Sequence, residues 1–237
     1  MFGGIWMSLL VVIGIVLVAL IGLKFVLNID INEIKAFTKK DRLNKITDAF
    51  PENMEICKKI CGMIGNDTVK IEENKDSNTS LFLIVTNKIS ISNLKGNFTR
   101  IQTIAHECIH SMQDKRVLWA NFVWANVFLI YFVVAIVLTC FGVFKDVMLQ
   151  VYILTFMGLI FYFIRSYLET DAIIKSRYLA REYMKYEKIL KPNEMQEILE
   201  NYDVLNKIGV KATNYKLIFS ALLKVLIYAI IAYIVTL

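Results

Sequence analysis

The apolar residues of this chain are gathered into four runs, and each approaches the roughly 20 residues needed to cross a bilayer. The runs cover residues 5–27, 117–144, 147–167 and 217–237. The second carries only Lys or Arg-free sequence, while Lys24 and Arg165 sit near the ends of the first and third. Lys224 lies in the first half of the fourth run, where its long stem lets the ammonium reach an interface. Across 237 residues, 57% are hydrophobic, well above an ordinary soluble domain. The same composition excludes a disordered chain and a small disulfide scaffold. No basic residue precedes the first run and no small-residue cleavage site follows it, so it reads as a retained span rather than a signal peptide.

The basic residues set an expected topology. Residues 28–116 hold 14 Lys and Arg, residues 165–216 hold 10, and the loop between the second and third runs holds only Lys145. The positive-inside rule puts both basic segments on the cytoplasmic side of the cell membrane, with both termini outward. The net charge of +6 then suits an anionic lipid surface. There is no aromatic and basic interleaving that would point to nucleic acid. The expected layout is an N-terminal span (1–27), a polar segment (28–116), a transmembrane hairpin (117–168), further cytoplasmic helices (169–214) and a last span (215–237). Four cysteines fit a reducing compartment, with Cys57 and Cys61 read as buried thiols on one helix face, since a single C-x-x-x-C is a weak metal signal. The sequons at Asn66, Asn78 and Asn97 carry little weight on a cytoplasmic face.

Periodicity predicts the polar elements. Ile31, Ile34, Phe37, Leu43 and Ile46 mark an amphipathic helix over 31–46. Pro51 opens a helix over 51–64, stopped by Gly65-Asn66-Asp67. Residues 70–80 read as loop, with a short strand at 69–71. Residues 81–85 and 89–92 flank Thr86-Asn87-Lys88 as a β-hairpin. Helices follow over 97–114, over 169–190 and over 193–208, the last ended by Gly209.

The chemistry is concentrated in His106-Glu107-Cys108-Ile109-His110, an H-E-x-x-H segment on a predicted helix. Histidines four apart lie one turn apart on one face and reach the same zinc ion. Glu107 stands beside them as a base for the water that such an ion acidifies. These are the chain's only two histidines. A third ligand must therefore be a carboxylate or, failing that, a thiolate, which excludes a three-histidine set. A di-iron site is disfavoured too, because only one Glu-x-x-His pair exists.

The transmembrane hairpin brings the end of the third run back toward the start of the second. Glu169 is the first carboxylate to emerge there. Straight helices would miss register by roughly 16–18 Å at 1.5 Å per residue. Either the chain breaks between Gln113 and Trp119 or a later residue such as Glu182 is the ligand, and Lys115 and Arg116 favour the break.

The segment His106 to Asp114 resembles the H-E-x-G-H-A-x-Q-D segment of YugP-type neutral zinc metallopeptidases of bacterial membranes, and Glu169-Thr170-Asp171-Ala172 is similar to their later E-F-D-A. The likeness covers residues 89–114 and 168–172 and is architectural elsewhere. HtpX-like membrane peptidases share the placement of two spans between H-E-x-x-H and a glutamate. The resemblance implies His106, His110 and Glu169 as zinc ligands and Glu107 as general base, and favours Glu169 over Glu182. Ile109 stands where the family has glycine and Ser111 where it has alanine, and Ile109 is expected to crowd the packing behind the metal. Asp171 is a candidate to hydrogen-bond a ligand histidine.

These observations lead us to expect a mainly α integral membrane protein with about four transmembrane helices. Its small α+β, zincin-like cytoplasmic domain would contain a short β-hairpin and the H-E-x-x-H helix. The expected activity is a membrane-bound zinc endopeptidase acting on peptides or membrane proteins. Residues 81–85 would offer a strand edge to substrate, with Arg177, Tyr178 or Tyr167 as oxyanion donors. The rival expectation is an inactive zinc-binding scaffold, against which the acid Glu107 argues. A transporter would carry polar or broken helices at midplane, which the uncharged second run lacks.

Overall fold

The computed structural model describes residues 2–27, 40–74, 76–77, 79–94 and 96–237. In chain order the elements are α1 (Phe2–Val26), α2 (Asp41–Thr47), α3 (Asn53–Met63), β1 (Lys70–Asn74), β2 (Leu81–Leu83), β3 (Lys88–Ser92), α4 (Arg100–Met112), α5 (Lys115–Cys140), α6 (Val147–Glu187) and α7 (Pro192–Thr236). Four of them, α1, α5, α6 and α7, are long and apolar enough to cross a membrane, which fits a multi-pass membrane protein. The chain divides into two compact units. One comprises Met1–Ile29, Trp119–Tyr167 and Lys211–Leu237, and the other Asp30–Leu118 and Leu168–Val210.

The first unit is an all-helical assembly whose large apolar side chains are more often exposed than buried. Val18, Ile21 and Phe163 are each more than half exposed, as expected where hydrocarbon replaces water. Its interior holds Leu9, Phe128, Leu154, Tyr228 and Ala229. Small residues set the closest approach. A Cβ built on Gly158 of α6 would stand 3.1 Å from Ala221 Cβ of α7 and 3.4 Å from Phe128 Cζ of α5. With no hydrophobic force between helices in lipid, such close van der Waals packing holds the bundle. Two polar pairs join its helices. Thr139 and Tyr228 hydroxyls lie 2.9 Å apart, and the Trp6 indole donates to the Thr236 carbonyl at 2.7 Å. The turn between α5 and α6 is short. Gly142 takes a positive φ of 69°, which spares the strain an L side chain would meet, and Asp146 Oδ1 caps α6 by accepting from Leu149 N–H at 2.9 Å.

The second unit is a helical layer against a three-stranded sheet of order β1-β3-β2. β2 and β3 form the expected antiparallel hairpin, with Phe82 opposite Ile89. The first strand is shorter and the turn longer than the sequence suggests: the strand stops at Leu83, and residues 84–87 make the turn, with Asn87 at φ 47°. Residues 70–74, expected to be mostly loop, form β1, parallel to β3 with Ile71 opposite Ile89. Its charged alternation hid it. Lys70, Glu72 and Asn74 face solvent on an edge strand, where charge guards against pairing with another chain.

The core of this unit is Leu43, Phe50, Ile56, Ile60, Ile89, Ile91, Ile101, Ile104, Tyr183 and Tyr202 with their neighbours. Tyr202 donates its hydroxyl proton to the Phe98 carbonyl at 2.7 Å, so a fully buried phenol keeps a partner. Arg100, 2% exposed, donates from Nη2 to the carbonyls of Phe50, at 2.9 Å, and Pro51. That ties the entry of α3 to the first turn of α4. Of the helix expected over 31–46, Ile31, Ile34 and Phe37 lie outside the described residues, and Leu43 and Ile46 belong to α2.

A further expectation is overturned. Gly209 does not end a helix: α7 runs without interruption from Pro192 to Thr236. A single interior glycine costs about 1 kcal/mol, too little to stop a helix that continues favourably on both sides.

Candidate metal centre

α4 is amphipathic, and its two faces have different tasks. Ile101, Ile104, Ala105 and Cys108 are buried in the core, which turns His106 and His110 to the opposite side. The helix ends at Gln113, whose backbone is extended at φ −64°, ψ 158°. Asp114 then starts α5 by accepting the Arg116 N–H at 2.8 Å on its side chain. The chain therefore breaks next to Gln113, the alternative that Lys115 and Arg116 favoured.

Glu169, on the polar stretch of α6, meets the two histidines. His106 Nε2 and His110 Nε2 are 3.0 Å apart. Glu169 Oε2 is 3.5 Å from His106 Nε2, and Oε1 is 3.6 Å from His110 Nε2. Ligands at about 2.0–2.1 Å from a tetrahedral zinc stand about 3.3–3.4 Å from one another. The triangle of donors thus has the size such an ion demands, and its chemistry, two imidazoles and a carboxylate, is that of a divalent-metal site. Side-chain exposures of 20% for His106, 8% for His110 and 14% for Glu169 leave one side of the triangle open.

The histidines are oriented from behind. Gln113 Oε1 lies 2.8 Å from His110 Nδ1. Gln113 Nε2 donates to the Leu168 carbonyl at 2.8 Å and to Asp171 Oδ2 at 3.0 Å. With both acceptors claiming its nitrogen, the amide presents its oxygen to the ring. His110 Nδ1 therefore carries the proton and Nε2 turns its lone pair to the centre. Asp171 reaches the histidine through Gln113 rather than directly, and its other oxygen pairs with Lys175 Nζ at 2.6 Å.

Glu107 is 7% exposed and accepts the backbone N–H of Phe82 on β2. Burial raises its carboxyl above the usual range, against the opposing influence of both histidines. Burial alone would lower His110, but the hydrogen bond and charge of Glu169 reverse this and raise it.

Other sequence candidates lie elsewhere. Glu182 is an exposed partner of Lys185 at 3.1 Å. Arg177 is held by Asp203 at 2.6 Å. Tyr178 and Tyr167 are 56% and 63% exposed. Ile109 is only half-buried, so it does not crowd the helix from behind. Asn66 is buried and donates to Ser111 Oγ at 2.8 Å, a structural role rather than a glycan acceptor.

No family model, curated protein or solved structure matches this chain.

Sequence reasoning missed a recess beside His106. It is a cavity of 220 Å³ whose lining includes Gln102, Ser176 and Asn206 from three helices, with Ile173 and Gly209. Gln102 Nε2 donates to Asn206 Oδ1, and to Ser176 Oγ at 3.5 Å. Gly209 lines the recess as a position without a side chain. The signal was present in the sequence as a glycine inside a strong helical pattern, which often has a packing reason.

Proposed function

We propose that this chain is a membrane-bound zinc endopeptidase with its active centre at the cytoplasmic face of the cell membrane, built on a small zincin-like unit. The observation that carries this is the convergence of His106, His110 and Glu169 with the acid Glu107 beside them. A structural metal site has no use for an acid at that position. A zinc ion held by the three ligands would supply a Lewis acid and an acidified water. Glu107 accepts the proton of the attacking water at its carboxylate and returns it to the leaving amine nitrogen. Gln113 holds the His110 ring so that Nε2 stays directed at the centre.

The recess beside His106 is large enough for one substrate side chain, with polar groups at Gln102, Ser176 and Asn206 to meet it. β2 is an edge strand of the sheet, and its Phe82 N–H bonds Glu107. A substrate strand lying along β2 would therefore pass close to the base. The likeness of residues 106–114 and 169–172 to the YugP-type peptidases supports the same assignment. Membrane proteins or their exposed ends are the substrate class that the location favours.

The test is cleavage of unfolded membrane and soluble polypeptides by detergent-purified protein, with zinc content read on the same samples. Wild type should cleave, and Glu107→Gln should keep its zinc and lose cleavage. Zinc retained with no cleavage by wild type across substrates would replace this reading with a zinc-binding scaffold.

A further inference from the structure

The face of α4 turned away from His106 and His110 carries a second convergence. Cys108 meets Cys57 and Cys61, which stand one turn apart on α3. Its Sγ is 3.7 Å from that of Cys57 and 3.5 Å from that of Cys61. All three sulfurs lie within 4.8 Å of one another. The three residues are unpaired as disulfides and enclosed by the apolar core, with exposures of 0%, 3% and 0% for Cys57, Cys61 and Cys108.

That enclosure decides what the cluster suits. Metal–thiolate bonds of about 2.3 Å put three sulfurs about 4.0 Å apart around an ion in their plane. The Cys108 contacts need to open by no more than about half an ångström to reach this. Structural zinc asks for a fourth ligand, and no further His, Cys, Asp or Glu joins the group among the described residues. The sulfurs are enclosed by apolar side chains, which offer a water ligand no further polar partners. A soft monovalent cation is satisfied by three thiolates alone.

We propose that Cys57, Cys61 and Cys108 form a second metal site, distinct from the histidine centre, for a soft monovalent cation of the Cu(I) class. The thiols release protons as the ion binds, and the ion's single positive charge offsets one of the three thiolate charges that burial disfavours. Binding cross-links α3 to the back of the helix that carries His106 and His110.

The experiment is anaerobic titration of the reduced, detergent-purified full chain with Cu(I) against a colorimetric Cu(I) chelator. About one tightly held Cu(I) per chain is expected, with thiolate-to-copper charge-transfer absorption. Cys57→Ser, Cys61→Ser and Cys108→Ser should each lose it, and Cys140→Ser, an exposed thiol, should bind as wild type. The His106→Ala, His110→Ala double variant should keep it, which separates this site from the peptidase centre. X-ray absorption on copper-loaded wild type should show sulfur neighbours only, and it decides the matter alone if the serine variants do not fold. Failure of wild type to take up Cu(I), copper with nitrogen or oxygen neighbours, or uptake lost with the histidines would overturn the proposal.

Discussion

His110 Nδ1 lies 2.8 Å from Oε1 of Gln113, the residue at which the helix carrying both histidines ends. The same amide bonds the Leu168 carbonyl and Asp171, so the end of α4 is fastened to the stretch of α6 that supplies Glu169. Gln113→Ala removes the acceptor and frees the ring. Zinc affinity, measured by chelator competition, should fall about 10–100-fold. Gln113→Glu keeps an acceptor for Nδ1–H but sets a carboxylate oxygen against the Leu168 carbonyl and Asp171, and should recover only part of the loss.

Glu169 and Glu182 separate cleanly. Glu169→Ala should reduce bound zinc from near one per chain to a small residue. Glu182→Ala removes only an exposed pair with Lys185, a contact worth a few tenths of a kcal/mol at about i,i+3 spacing, and should leave zinc unchanged. Elemental analysis of the two variants in parallel checks both statements.

Arg100 makes a stability prediction. Arg100→Met strands the Phe50 and Pro51 carbonyls in the core. Each buried group left without a partner costs about 1–3 kcal/mol. Chemical denaturation in detergent should show a loss in that range or above, centred on the unit that contains the sheet.

Gly158 makes another. Its missing side chain leaves room for Ala221 at 3.1 Å from the position a Cβ would take. Gly158→Leu should lower the thermal midpoint, with overpacking of this kind costing about 1–3 kcal/mol. Ala221→Gly in the same chain should restore part of the loss, a double-mutant signature of direct contact.

Gly209 tests the recess. Gly209→Ala places a Cβ at 3.9 and 4.0 Å from Ile173 atoms, ordinary contact, and should stabilise α7 by about 0.4–1 kcal/mol. Gly209→Leu should instead fill the recess. The expected outcome is slower cleavage of substrates with bulky side chains at that subsite, at unchanged zinc content.

Much of this molecule is determined locally, and there the sequence sufficed. Four long apolar runs need no tertiary partner to be recognised, because bilayer thickness sets their length. His106 and His110 share a face through helical periodicity alone, and the register of two helices narrowed the choice to a break near Gln113 or a later ligand such as Glu182. What the sequence could not decide is how segments distant along the chain meet. β1 is a strand because β3 accepts it in parallel, not because its charged residues favour one. Gly209 continues a helix because residues on both sides outweigh its small penalty. Glu169, Gln113 and Asp171 were visible as polar residues, but only tertiary structure put Gln113 between the other two groups and the histidine. Nothing in the sequence connected Cys108 with Cys57 and Cys61, which lie 51 and 47 residues earlier in the chain and meet it only through packing. Local physics names the elements and the reactive residues. Which of them touch is a property of the packed core, where each contact depends on all the others.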